Sequence, residues 1–480
     1  MVKLMDSMYP HWLSKEMLRG VRRFNIDAYL VALEGWRRGL SLTFYEHNTN
    51  ETNLKLIGFD PIGKLFSLES DKKKHFFYRT RGDFISNEAV DIGTDKESTK
   101  SYLSENNVSI PQGFSFTSNT PKEKLNQSLE KMEMPIVLKP TFGSLGKGVT
   151  TNIRSTEEFH KSLEYTKSTF DYTEFLVEEH ISGDDVRVYV VGDEVIAATK
   201  RLPANVTGDG YSSIKELIES KNKARKLNPH TLTRPIKVDD RMKEFLAEQN
   251  LDLKYVLEEN ETVFLKGESN ISAGGDSIDI TRELSDSVKM TAVKAVAAIS
   301  NLHHAGVDMI VNEDEGVVIE INSTGSTALH TFPLYGEPQN VAEKIIDYYF
   351  PDTKDTIRSN QLFFDYKGIL KQLRANQLKK IEITDAPVGK LYAKKYIISG
   401  KVQKVGYRIW AENQAIAQGL HGYTRNLKNG KVVVVVAGLN KDSVVNFKEI
   451  CYKGPRRSKI EKVKEFHWDK EIKIGFEIKS

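Results

Sequence analysis

Cysteine is almost absent. Cys451 is the single one in 480 residues, which excludes an internal disulfide framework and fits a reducing compartment. Charge of one sign is not in surplus either. Lys and Arg number 69 against 66 Asp and Glu, a net of +3, so neither nucleic acid nor a membrane surface is an expected partner. No apolar run approaches the ~20 residues that span a bilayer. The early residues Asp6, Lys15, Glu16, Arg19, Arg22 and Arg23 stand where a signal peptide would keep an apolar stretch, so a cytoplasmic protein is expected. Two common phosphate-binding signatures are also missing: no Gly-x-x-x-x-Gly-Lys-Ser/Thr occurs, and no Gly-x-Gly-x-x-Gly opens a helix. Internal repeats are lacking too, so no solenoid is expected.

At 39% hydrophobic and 28% charged, the sequence reads as a soluble globular chain, long enough for about three domains. Its most informative stretch is 136–150. An apolar strand ends on Lys139, and a glycine-rich loop holding Lys147 follows at once. Glycine backbone can approach a polyphosphate closely, its N–H groups can turn inward, and the lysines supply charge. Taken alone, the stretch also reads as a glycine-rich hairpin with surface lysines.

Further on, 307–311 and 317–321 read as strands joined by a hairpin turn at 312–316. Glu320 and Asn322 are two apart, hence on one side of their strand, and the hairpin can fold Asp308 into the same patch. Two carboxylates and an amide oxygen, without His or Cys, suit hard Mg2+ ions that bridge to phosphates. Acidic residues on strands are usually solvated, but Glu320 interrupts the apolar run Val317-Val318-Ile319-Glu320-Ile321.

Residues 1–94 read as a small α/β domain, 95–351 as the body carrying these motifs, 352–387 as a linker with one short helix, and 388–480 as a compact last domain. That last domain runs strand, helix, strand, strand, helix, strand, the split β-α-β order of ferredoxin-like folds.

In the order and spacing of its motifs, 95–351 resembles the ATP-grasp ligases, in the branch that includes cyanophycin synthetase and the ATP-grasp half of bifunctional glutathione synthetase. The resemblance is carried by Asp95-Lys96-Glu97-Ser98-Thr99-Lys100, the Lys139 loop, and Val177-Glu178-Glu179-His180-Ile181-Ser182-Gly183. Gly208-Asp209-Gly210, Ser269-Asn270-Ile271-Ser272-Ala273-Gly274-Gly275, Gly306-Val307-Asp308 and Ile319-Glu320-Ile321-Asn322 complete it. It implies ATP and Mg2+ as cofactors, with Mn2+ an acceptable substitute. It implies that Lys96, Lys139, Gly146 and Lys147 meet the nucleotide, under a flap over 141–148. Glu178, with the backbone of His180 and Ile181, is expected at the adenine edge, Asp185 at the ribose, and Asp308, Glu320 and Asn322 on two metal ions.

Arg187, Lys200, Arg201 and Lys266 are candidates for offsetting charge on the phosphate or acyl group, Lys266 as a catalytic residue, against plain surface roles. Many relatives follow the metal asparagine with Pro-Gly. Here Asn322-Ser323-Thr324-Gly325-Ser326 stands instead, which leaves the acceptor unassigned. His303, His304 and His330 are expected to be structural or surface histidines, and Arg37, Arg38 and Arg79 are candidates for binding a carboxylate, with solvated arginines the expectation.

Residues 390–470 resemble an acylphosphatase, through Gly400-Lys401-Val402-Gln403-Lys404-Val405-Gly406-Tyr407-Arg408, then Gly422-Tyr423-Thr424-Arg425-Asn426, then Lys453-Gly454-Pro455. Loop N–H groups at the start of a helix make an anion cradle, and Arg408 adds a bidentate guanidinium. Asn426 can orient a water for in-line attack, without metal. Lys404 stands where glycine is commoner, and would be strained if that position needs a positive φ.

The fold class expected is α/β and α+β multidomain: an ATP-grasp fold with an N-terminal α/β domain and a C-terminal ferredoxin-like acylphosphatase domain. The expected function is an ATP-dependent carboxylate–amine ligase that forms an amide or peptide bond through an acyl phosphate. Its partners are a small-molecule carboxylate and an amine, amino-acid or peptide-like, and the family allows a homo-oligomer. The competing reading is an acyl-phosphate-forming phosphotransferase or ATPase whose product the last domain hydrolyses. A ligand-sensing binding protein is a third.

Overall fold

The computed structural model describes residues 9–47, 52–56, 60–142 and 147–479. They form two compact units: residues 80–345, and residues 9–79 together with 346 onward.

In the first unit a five-stranded antiparallel sheet runs in the order Asp276–Asp279, Glu194–Leu202, Asp184–Val191, His304–Asn312, Glu315–Asn322. Val186, Val188 and Val190 of one strand and Ala305, Val307 and Met309 of the next share a core with Val288, Ala292, Ala295 and Val296 of helix Asp286–Ala297. Each large apolar side chain buried there contributes about 1.5–3 kcal/mol. By the two-residue period of a strand, that core forces Asp185, Arg187, Gly306 and Asp308 onto the opposite face. A second sheet, ordered Gly113–Thr117, Glu174–Glu179, Ile136–Pro140, Thr150–Ile153, shares a core of Phe116, Phe159 and Phe175 with helices Lys122–Leu129 and Thr156–Thr169. A third, smaller core involves helices Ile214–Arg225 and Asp240–Glu248, the first opened by a Ser213/Glu216 capping box and the second capped by Asp239.

In the second unit the expected linker over 352–387 is largely structured. It holds strand Leu362–Phe363, helix Tyr366–Arg374 and strand Lys380–Ile383, the last paired antiparallel with Ser41–Tyr45. The helix buries Tyr366, Ile369, Leu370 and Leu373, the stripe of a helix lying on a core. The strand is an edge strand that buries only Ile383 fully, so its sequence carries little apolar signal.

Arg37 and Arg38, expected in solvent, are buried instead. Arg37 donates to the carbonyls of Leu362 (2.8 Å), Asn360 (2.6 Å) and Trp12 (3.0 Å), and burial pushes its guanidinium down to about 10. Arg38 pairs with Glu34 at 2.8 Å and Asp347 at 2.7 Å. Arg79 pairs with Asp27 at 2.9 Å and lies over the Phe24 ring. Both arginines of the Arg37–Arg38 pair thus tie helix Asn25–Arg37 to residues after 346.

The C-terminal sheet runs Lys459–His467, Tyr392–Lys401, Val432–Gly438, His421–Asn426, Phe476–Lys479. Helices Tyr407–Ala417 and Lys441–Lys453 share its core with Tyr396, Ile398, Val432, Val434 and Val436. This is the expected ferredoxin-like order with a fifth strand added parallel to His421–Asn426. Just before that strand, Ile472–Lys473 pairs with Leu362–Phe363, which joins the two parts of this unit. Among the described residues no helix is long and apolar enough to cross a membrane.

Candidate active sites

Strand register decides which charges meet in the first unit. Asp308 lies directly across from Arg187 on one side and from Glu320 on the other, and Arg201 lies across from Asp185. Directly opposed side chains are within reach of each other. Arg187 grips Asp308 at two points, with Nη2 to Oδ2 at 2.5 Å. Arg201 pairs with Asp185 and also reaches Asp308 at 3.4 Å. Asn322 Nδ2 lies 3.5 Å from Asp308 Oδ2.

A bulge next to Asp308 aims the second carboxylate. Asp308 pairs with Glu320 but Met309 pairs with Val318, so Ile319 is the extra residue. Without it Glu320 would share the face of Val318, which lies in the core; the bulge turns Glu320 to the face of Asp308. Burial alone would raise the Asp308 carboxyl, yet Arg187 and Arg201 hold it below its ordinary value. Glu320 moves the other way, raised by burial and by the Asp308 charge, with Lys96 and Arg187 opposing. Burial raises Asp185 as well, against Arg201.

Glu178 is the centre of the second cluster. It is 3% exposed, and it holds Lys139 at 2.5 Å on one oxygen and Lys100 at 2.6 Å on the other. Lys96 and Lys100 stand one turn apart on helix Lys96–Glu105, so they share a face. Lys96 donates to the carbonyl of Thr141 at 3.3 Å. Burial lowers both ammonium groups; Glu320 chiefly opposes this in Lys96, and Glu178 in Lys100. Lys96 therefore feels Glu320 and Glu178 alike, and links the two clusters electrostatically.

The C-terminal loop is built differently. Among the described residues, the N–H groups of Gln403, Lys404, Val405 and Gly406 donate to no backbone carbonyl. The Gln403 amide ties the loop to the carbonyls of Leu427 and Lys431, both at 2.8 Å. Lys404 (φ +60°) and Gly406 (φ +81°) turn left-handed just before helix Tyr407–Ala417, the kind of turn that gathers N–H groups into an anion nest. Arg408 stands in the first turn of that helix and Asn426 ends strand His421–Asn426.

Known proteins match at these same two places. The RimK-like ATP-grasp domain family matches residues 93–215, an ATP-grasp domain family residues 245–327, and the acylphosphatase family residues 394–478. The chain carries an ATP-grasp domain and an acylphosphatase domain. Cyanophycin synthetase of Geminocystis herdmanii is 32% identical over 274 residues, covering 55% of this chain and 31% of that protein. The glutathione biosynthesis bifunctional protein GshAB of Listeria welshimeri is 31% identical over 328 residues, 62% of this chain and 41% of that protein. The crystal structure of a bifunctional glutathione synthetase from Pasteurella multocida matches at 28% identity and a TM-score of 0.48, over 60% of this chain and 41% of that one. The chain thus spans less than half the length of these relatives.

Of the ATP-grasp residues singled out in the sequence, Asp185, Asp308, Glu320 and Asn322 share the sheet face with Arg187 and Arg201, and Lys139 joins Glu178. Lys200 points away and pairs with Asp184 at 2.7 Å. Lys266 pairs with Asp239 at 2.9 Å, beside the start of helix Asp240–Glu248. The His180 N–H already donates to the Pro135 carbonyl at 3.0 Å, which leaves the His180 carbonyl and the Ile181 backbone as the candidates for a base edge. Lys147 is exposed, and Gly146 lies outside the described residues. His304 is buried against the Tyr189 hydroxyl, and His330 is buried with Nδ1 2.8 Å from Thr199 Oγ1; burial pushes both down to about 3. His303 is half-buried beside Phe84. Sequence reading quoted Lys100 in a motif but gave it no role, although its four-residue spacing from Lys96 was a signal, and it missed the bulge at Ile319, which has none.

Proposed function

We propose that the chain is an ATP-dependent carboxylate–amine ligase, ADP-forming, fused to an acylphosphatase that hydrolyses acyl phosphates. The observation that carries the reading is the shared face of Asp308, Glu320, Asn322 and Arg187, coupled through Lys96 to the Lys139–Glu178 cluster. The names of the relatives, a cyanophycin synthetase and a glutathione biosynthesis bifunctional protein, support an amide or peptide bond between amino-acid or peptide-like substrates.

The donor set fits a hard divalent cation: every candidate donor is oxygen, and Glu320, raised by burial and then by the Asp308 charge, stands directly across from Asp308. Asp308, Glu320 and Asn322 would hold Mg2+, which would supply charge neutralisation for a bound nucleotide. We assign Glu178 and the Ile181 backbone to adenine, Asp185 to the ribose, and Lys96, Lys139 and Lys147 to the phosphates, with Lys266 adding charge once it leaves Asp239. A substrate carboxylate oxygen attacks the γ-phosphorus, the bond to the β-phosphate oxygen breaks, and ADP leaves. The amine nitrogen then attacks the acyl carbon, the bond to the phosphate oxygen breaks, and the surplus amine proton passes to solvent. The cationic side chains act by offsetting charge, with little covalent work to do. In the acylphosphatase domain, Arg408 and the loop N–H groups hold the phosphoryl oxygens while Asn426 orients the attacking water.

The acylphosphatase match favours a second reading, in which the acyl phosphate itself is the product and the fused domain consumes it. Hydroxylamine trapping tests both. Hydroxamate formed together with ADP, and in greater yield in Arg408→Ala, supports acyl-phosphate production and its disposal. Release of AMP in place of ADP overturns the mechanism. ADP formation across pairs of amino acids and small acids separates the readings, because the ligase needs the amine to yield an amide.

A further inference from the structure

We propose that Arg187 is an internal counter-cation that shares Asp308 with the divalent ion, so that the ion gains full access only when a triphosphate takes over the guanidinium. The proposal rests on the assignment of Asp308, Glu320 and Asn322 to the cation.

Register makes the Arg187–Asp308 contact obligatory, since the two residues are direct cross-strand partners on a sheet fixed from behind by the valine core. The grip engages both carboxylate oxygens, the same lone pairs that a metal ligand must present. Charge adds to the competition. Asp185, Asp308 and Glu320 face Arg187, Arg201 and Lys96, so the charges already balance and a divalent ion would leave the face positive if all three cations stayed in place. Arg201 already bridges Asp185 and Asp308, so Asp308 keeps a cationic neighbour when Arg187 lets go.

A guanidinium released inside the protein cannot stay unpaired, because an uncompensated buried charge is strongly unfavourable. Phosphate oxygens offer its planar donors the same two-point geometry as the carboxylate. Metal and triphosphate then each remove the obstacle to the other, and the coupling is reciprocal.

Free Mn2+ followed by electron paramagnetic resonance on the full chain, without nucleotide, tests this apart from turnover. Arg187→Gln is expected to bind Mn2+ about ten-fold more tightly than the parent. Arg187→Lys, which keeps the charge and loses the fork, is expected to fall between them. Unchanged or weaker Mn2+ binding in Arg187→Gln overturns the proposal, and if that variant does not fold, parent-like affinity in Arg187→Lys does so. Asp308→Asn keeps the two premises apart. If it leaves Mn2+ binding unaltered, the metal assignment itself falls; if it abolishes binding while Arg187→Gln changes nothing, only the competition falls.

Discussion

The ATP-grasp site and the acylphosphatase cradle are both assigned to phosphate, and they are made of different material. The first is a set of buried and half-buried side-chain charges, matched across strands in Asp308 with Arg187, Asp185 with Arg201 and Glu178 with Lys139, and joined from helix Lys96–Glu105 by Lys100 on Glu178. The second is mostly backbone, a left-handed turn over Lys404 and Gly406 feeding a helix start, with the single guanidinium of Arg408. A site of paired carboxylates recruits cations and responds to protons and metal. A site of N–H groups depends on backbone shape and is nearly indifferent to both. Under the proposed function, one chain would make and break the same bond class under separate chemical control.

The sharpest way to break the comparison is at Glu320. Glu320→Gln is expected to lower ADP formation by about 10³-fold or more, as loss of a main electrostatic element does. Acetyl phosphate hydrolysis by the same sample should stay within about two-fold of the parent, since that site uses no carboxylate. A chelator should reproduce the split in the unmodified chain. Loss of both activities would show that the sites are not independent.

The reciprocal change is Arg408→Ala. Benzoyl phosphate hydrolysis is expected to fall by about 10²-fold, while ATP turnover holds. A deficit confined to KM would mean that Arg408 only collects substrate, whereas a kcat deficit places it on the phosphoryl oxygens in the transition state.

These residues were legible in sequence because each site leaves a local pattern. The cradle is contiguous from Gln403 to Arg408, and Glu320 and Asn322 keep a two-residue spacing inside an apolar run. What stayed hidden depends on register. Nothing local says that Asp308 meets Arg187, 121 positions away, or that Ile319 is squeezed out so that Glu320 leaves the core face. The strand Lys380–Ile383 was illegible for another reason: an edge strand buries one face of a few residues, and its pairing with Ser41–Tyr45 is long-range. Arg37 and Arg38 were misjudged because arginine is usually solvated, and their burial rests largely on long-range partners, the carbonyls of Asn360 and Leu362 and the Asp347 carboxylate, that no local pattern announces.

Acid should separate the two sites next. Burial and Asp308 raise the Glu320 carboxyl, so the folded chain keeps that proton to a higher pH than the unfolded chain does. The contribution to stability is therefore present below the ordinary value of 4.5 and is lost as pH rises through the folded value. Two outcomes are expected. Without metal at pH 7, Glu320→Gln should raise the melting temperature of the ATP-grasp domain while abolishing its turnover. In the parent, Mn2+ affinity should begin to fall on acidification already above pH 4.5, whereas acyl phosphate hydrolysis, resting on Arg408 and backbone, should stay flat across that range. A melting temperature lowered by Glu320→Gln would contradict the sign of the shift.

The smallest effect tests the backbone side of the contrast. Lys404 is exposed and holds φ at +60°, a conformation that costs an L-residue about 1–2 kcal/mol. Lys404→Gly removes that strain but adds back about 0.5–1 kcal/mol of chain entropy on folding, so a net gain near ~0.5 kcal/mol is expected. If strain were the whole story, catalysis would be unaltered. The ammonium of Lys404, however, stands in the loop proposed to hold the anion, and its removal is expected to raise KM for an acyl phosphate about two- to three-fold, with kcat unchanged. The difference should shrink as salt is added, because an exposed charge is screened over a Debye length of about 8 Å at physiological ionic strength. A KM unchanged at low salt would leave the cradle to backbone and Arg408 alone, the purest form of the contrast with the ATP-grasp site.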